Sequence, residues 1–143
     1  MRFVLDTNLP VSGLIAVGLP RWLFDGARAG EFELCTSEVL LAELRDVLSR
    51  AKFADRLGQA GLTPMGIVDD LRRMAVVVLP TIAPRVVPND PDDGHVIAAG
   101  VTGQADLIAS GDKRDLLPMG SWAGTPIVTA REAVERLEAR REA

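Results

Sequence analysis

Four acidic residues, Asp6, Glu43, Asp93 and Asp112, stand where carboxylates can act together. Acids gathered without basic partners repel one another, so that one takes up a proton or a hard cation binds. The donors here are oxygens. With only one histidine, His95, and one cysteine, Cys35, a tetrahedral zinc site is not expected, and the fitting cation is Mg2+ or Mn2+. Such an ion acidifies bound water and stabilises charge on phosphoryl oxygens; two ions do both at once. That chemistry suits phosphodiester hydrolysis. Lys113 and Arg114 flank Asp112 and can hold a phosphate, or they are a solvated pair on a loop.

Each acid also has a plainer reading. Asp6 or Asn8 can cap the next helix, as can Asp93, alone or with Asp90 and Asp92. Asp112 and Asp115 can be turn residues, and Glu43 can pair with a nearby arginine. What joins them is the set of elements expected to carry them.

Phe3-Val4-Leu5 reads as a short buried strand running into Asp6-Thr7-Asn8. Helices are expected over about 9–16 and 21–29, the second ended by Gly30. A strand over 32–36 leads to Ser37, which caps the periodic helix SEVLLAELRDVLSRA. Leu40, Leu41, Leu44, Val47, Leu48 and Ala51 form its apolar stripe. Glu43 lies on the flank of that stripe, while Glu38 and Arg45 face outward. A carboxylate edging the core is costly unless something pairs with it.

Residues 52–62 are expected to be helical, and Thr63-Pro64 opens another helix. A strand over 75–79 follows, rich in valine. Asp90-Pro91-Asp92-Asp93 opens a helix ended by Gly103. A strand over 107–110 precedes Gly111-Asp112-Lys113-Arg114-Asp115. Residues 113–123 read as loop with one helical turn, and 126–128 as the last strand. Thr129 and Glu132 form a capping box for a final helix.

Short strands separated by helices predict a parallel sheet covered on both faces, a three-layer α/β/α domain. In such a sheet every strand-to-helix connection opens at one edge, where ligands bind. Four caps or ion pairs would have no need to share that edge.

The 143 residues fit one domain, 1–143, and the 48% hydrophobic content fits a folded core. Aromatic content of 4%, with no tyrosine, argues against stacking platforms for bases, and a net charge of −4 argues against broad nonspecific nucleic-acid binding. The single Cys35 excludes an internal disulfide and fits a cytoplasmic protein. No charged-then-apolar leader is expected before Phe3, and no apolar run has the length of a membrane span.

Four stretches taken together resemble the PIN domain nucleases, in particular the VapC-like toxins of type II toxin–antitoxin systems. They are Val4-Leu5-Asp6-Thr7-Asn8, Ser37-Glu38-Val39-Leu40-Leu41-Ala42-Glu43-Leu44, Asp90-Pro91-Asp92-Asp93, and the run from Ala105 to Leu117. The resemblance implies a metal-dependent endoribonuclease with RNA as substrate. It maps the acids to Asp6, Glu43, Asp93 and Asp112, with Asp115 an occasional extra, and the supporting amide and hydroxyl to Asn8 and Ser110. It also implies a homodimer and a small cognate antitoxin. Trp22, Leu23 and Phe24 are either core or part of such a dimer surface.

Three departures stand out. Pro10 replaces a usual aliphatic residue, Ser110 a commoner threonine, and Gly94 a polar residue. The last leaves open which of Asp90, Asp92 and Asp93 faces the metal. A catalytically weak module acting through protein binding is the competing function. A haloacid-dehalogenase-type phosphatase places a second aspartate where Asn8 stands, and the acidic pair and late lysine of a receiver domain are missing.

Overall fold

The computed structural model describes residues 1–6, 25–80, 91–110 and 116–142, with the side chains of 91–93 and 141–142 outside the description. The expected helix over 9–16 and the residues Trp22, Leu23 and Phe24 lie outside it. Residues 25–28 are helical, and Gly30 ends that turn with φ of 77°, a conformation open to glycine at little cost.

The strands are β1 (Arg2–Leu5), β2 (Glu33–Ser37), β3 (Val76–Val78), β4 (Leu107–Ala109), β5 (Ser121–Trp122) and β6 (Thr125–Val128). The helices are α1 (Glu38–Leu48), α2 (Ala51–Gln59), α3 (Pro64–Met74), α4 (Pro91–Thr102) and α5 (Ala130–Glu142), with a 3-10 turn at Leu117–Met119. The sheet order is β3-β2-β1-β4-β6-β5. Every pairing is parallel except β5 with β6. The expected α/β/α sandwich with a mainly parallel sheet is the architecture found.

Alternation along the strands builds two cores. Phe3, Leu34 and Leu107 face α1, α2, α3 and α5, where Leu41, Leu44 and Leu48 pack with Leu57, Ile67 and Leu137. Val4, Cys35 and Ile108 face α4 and its Val96, Ile97 and Ala99. Phe3 and Val4 are wholly buried, each contributing ~1.5–3 kcal/mol over an exposed side chain. The Phe3 and Phe32 rings meet in a tilted pair, centroids 4.6 Å apart.

Several boundaries differ from expectation. The helix expected to run through Ala51 stops at Leu48. The Ser49 amide and hydroxyl both bond the Arg45 carbonyl, at 3.0 and 2.7 Å, and Arg50 turns extended to start α2. Ala51 is therefore exposed rather than part of the stripe. The strand expected over 75–79 keeps only three residues, because β3 is an edge with a neighbour on one side; Leu79 beyond it is 84% exposed. Residues 121–122, expected as loop, pair antiparallel with β6.

The caps follow expectation. Thr63 Oγ1 accepts from the Gly66 amide at 3.0 Å, and Thr129 Oγ1 from the Glu132 amide at 3.1 Å. Glu132 answers the Thr129 hydroxyl itself, at 3.3 Å. No helix among the described residues is long and apolar enough to cross a membrane.

Candidate active site

Asp6 follows the last residue of β1, the central strand flanked by β2 and β4. From β1 the chain adds strands first on one side, as β2 and β3, and then on the other, as β4 and β6. The order reverses at the β1–β4 boundary, and the crevice for a ligand in an open α/β sheet lies at the carboxyl ends of such strands. The Asp6 amide donates to the Ala109 carbonyl at 2.9 Å, so the backbone stays tied to β4 beyond the formal strand end.

Asp6 is buried, 7% exposed. Its Oδ2 accepts a hydrogen bond from the Ser110 hydroxyl at 2.8 Å. Ser110 is itself anchored by its amide, which donates to the Val128 carbonyl at 2.9 Å. Register explains the meeting. Leu5 pairs with Ala109, so Asp6 and Ser110 are the next residues on adjacent strands. Both also fall, by alternation, on the face of Val4 and Ile108.

Ser37 belongs to the same level. Val4 pairs with Cys35, and two residues further along the register Asp6 comes opposite Ser37. Asp6, Ser37 and Ser110 are the buried polar residues among those described, at 7%, 2% and 1% exposure. From the sequence alone Ser37 is a helix cap, and it does cap α1, its Oγ accepting from the Leu40 amide at 3.3 Å. Its place beside Asp6 was available from the two-residue period once the sheet order was known.

Glu43 lies in α1, which starts directly after Ser37 with no intervening loop. It is half-buried and sits one turn beyond Leu40, the α1 residue that packs with the α4 core. Glu38, by contrast, is exposed and gripped by Arg72, whose Nε and Nη2 each donate at 3.0 Å. These bonds hold the Glu38 carboxyl below its ordinary value of 4.5. The two glutamates of α1 thus divide as their positions on the helix predicted: the outer one holds α3, and the inner one edges the core.

Asp93 is in the first turn of α4. This helix crosses from the end of β3 to the start of parallel β4, so its N-terminus lies at the sheet edge that carries Asp6. Its C-terminal half is seated on the strands. A Cβ on Gly100 would lie 3.0 Å from Ile108 Cδ1, and one on Gly103 only 2.2 Å from Cys35 Sγ. Arg2 Nη1 donates to the Gly103 carbonyl at 2.8 Å and clamps the helix end to β1. The Cys35 thiol, buried beneath this helix, donates to the Ala99 carbonyl at 3.6 Å, and burial raises its pKa above 9.0.

The expected site residues Asn8, Asp90, Asp112, Lys113, Arg114 and Asp115 lie outside the described residues, as does the side chain of Asp93. Among the described residues no three His, Cys, Asp or Glu side chains form a metal-holding group. Of the four expected acids, the described side chains are those of Asp6 and Glu43.

A family model described as PIN domain matches residues 2–114. That span holds β1 to β4 and α1 to α4, and all four acids. No curated protein matches the chain.

Proposed function

Because the chain belongs to the PIN domain family, whose members are typically nucleases, we propose that it is a metal-dependent endoribonuclease and the toxin of a type II toxin–antitoxin pair. The observation that carries this reading is the Asp6 carboxylate, buried at the sheet's switch point and held by the Ser110 hydroxyl at 2.8 Å. A buried acid at a ligand-binding edge is retained at a cost unless a cation or a proton meets it.

The proposed metal ligands are Asp6, Glu43, Asp93 and Asp112, with Asn8, Ser110, Asp90 and Asp115 supporting them. An all-oxygen donor set of this kind fits Mg2+ or Mn2+. A bound Mg2+ supplies Lewis acidity toward phosphoryl oxygens and acidifies its water. The chain's own work is positional. The Ser110 hydroxyl fixes the rotation of the Asp6 carboxylate, and α1 and α4 carry Glu43 and Asp93 toward the edge where Asp6 stands. Lys113 and Arg114, which flank Asp112, hold a phosphate of the substrate. The protein acts in the cytoplasm as one domain, 1–143, pairs as a homodimer and is neutralised by a small antitoxin.

The test is cleavage of single-stranded RNA with and without Mg2+ or Mn2+. Cleavage that depends on the ion and disappears in Asp6→Asn is expected; intact RNA with the wild-type protein and either ion overturns the proposal. The toxin role is tested in cells. Expression should arrest growth, and co-expression of the small protein encoded by a neighbouring reading frame should restore it.

A further inference from the structure

We infer that Arg72 is a positioning residue for the site: its guanidinium fork on Glu38 fixes the rotation of α1 about its own axis, and with it the reach of Glu43 toward a metal ion beside Asp6. The inference rests on the nuclease reading above and adds to it a residue of α3 that acts through Glu43 without touching metal or RNA.

Two kinds of contact hold α1. Its stripe of Leu40, Leu41, Leu44 and Leu48 is buried. Such packing is non-directional, so it resists lifting the helix off the sheet more than a small turn about the axis. The Arg72 fork is directional. Nε donates to Glu38 Oε1 and Nη2 to Oε2, both at 3.0 Å. Two parallel bonds fix the plane of the carboxylate as well as its distance. Nη1 donates to Asp69 Oδ1 at 2.9 Å, which steadies the fork from its own helix. The base is firm: Ile67, Val68 and Leu71 of α3 are buried, and Arg28 bonds Asp70. Surface ion pairs count for most when they are bidentate or networked, and this one is both.

Glu38 opens α1 and Glu43 follows five residues later. At ~100° per residue they stand ~140° apart around the axis. Arg72 therefore grips one flank of α1, and half-buried Glu43 edges the core on the other. A helix is stiff over so short a span, so a turn at Glu38 is a turn at Glu43. Side chains end ~5–6 Å from the axis, and a rotation of ~10° there displaces a carboxylate by ~1 Å. Mg2+ takes its oxygens at ~2.0–2.1 Å in near-ideal octahedral geometry, so a displacement of that size weakens its hold.

Substitution separates positioning from plain stability. R72K keeps the charge and loses the fork; R72M loses both. D70N breaks the Arg28 bond of α3 and leaves the fork on Glu38 intact, so it reports the effect of merely loosening α3. The experiment titrates Mg2+ calorimetrically, beside kcat and KM on a 5′-labelled single-stranded RNA, well below the Tm of each variant. The expected result is ~10-fold weaker Mg2+ binding in R72K and R72M, with kcat recovering at saturating Mg2+, KM for RNA unchanged, and wild-type Mg2+ binding in D70N. In an E43Q background R72K should add no further loss, because Arg72 acts through Glu43. Wild-type Mg2+ affinity in folded R72M, or in R72K, would overturn the inference. So would an equal loss in D70N or an additive loss on E43Q. If the wild-type protein neither bound Mg2+ nor cleaved RNA, the nuclease reading would fall and this inference with it; an active wild type with unmoved Arg72 variants sinks the inference alone.

Discussion

The Ser110 hydroxyl reaches Asp6 Oδ2 at 2.8 Å across a sequence separation of 104 residues. Two strands distant in the chain therefore share the positioning of one carboxylate. Groups that orient a metal-ligating side chain typically change affinity or activity by ~10–100-fold when removed. Ser110→Ala is expected to weaken Mg2+ binding and RNA cleavage by a factor in that range. Ser110→Thr should stay near wild type, since it keeps the hydroxyl. Calorimetric titration of Mg2+ beside cleavage rates checks both.

Asp6→Asn nearly preserves shape and removes charge. Cleavage should fall below detection and Mg2+ affinity should drop. Without metal the fold should remain intact or gain slightly, because a buried charge has gone. A capping aspartate tolerates asparagine well, so wild-type cleavage by Asp6→Asn at saturating Mg2+ would reduce Asp6 to a cap.

The Glu38–Arg72 pair predicts an acid limb of stability. Hydrogen bonds from Arg72 lower the Glu38 pKa from 4.5. A carboxyl with a depressed folded pKa stabilises the fold above its unfolded value. That contribution fades as pH falls from about 4.5 through the lower folded value. Glu38→Gln should therefore flatten the acid side of a Tm–pH profile while changing little at alkaline pH. The pair is solvent-exposed, so the difference should shrink in ~1 M salt.

Gly103 and Cys35 give a packing test. A methyl group on Gly103 would lie 2.2 Å from Cys35 Sγ and 3.0 Å from the Ala99 carbonyl oxygen. Gly103→Ala should cost ~1–3 kcal/mol as an overpacking substitution. Adding Cys35→Ala should recover part of that loss in a double-mutant cycle measured by urea denaturation.

The raised pKa of Cys35 adds an alkaline limb. Its burial favours the neutral thiol in the fold, so stability is full below about 9.0 and declines above it as the unfolded thiol ionises. Native Cys35 should resist alkylation at neutral pH and react only as the protein opens, at a rate that mass spectrometry can follow.

Local chemistry made much of this fold readable. Thr63-Pro64 and Ser37 announce helix starts, and Val4-Leu5-Asp6 announces a buried strand with an acid at its end. The β5–β6 hairpin was not readable. Its loop, Ala123-Gly124, takes φ of 49° and 85°, the pattern of a type I′ turn. That turn is usually marked by Asn-Gly or Asp-Gly, and Pro126 further disguises the strand. The break between α1 and α2 carries no glycine or proline, so helical periodicity ran through it. At the site, Asp6 stands out in the sequence because it follows a strand, and Glu43 because it lies on the flank of the apolar stripe of α1. The place of Ser37 beside Asp6 depends on which strands are neighbours, which spacing alone does not encode.

The central place of β1 also sets when the site can come into being. Its partner β4 starts at Leu107, and β4 is completed as a sheet strand by β6 at Thr125–Val128. Synthesis at ~5–20 residues per second takes ~5–20 s to pass from Asp6 to Ser110, and contacts so distant in sequence form slowly. Throughout that interval the nascent chain carries Asp6 without the serine that orients it. The bond that holds the Asp6 carboxylate thus forms only after most of the chain has been made, as the last strands join the sheet.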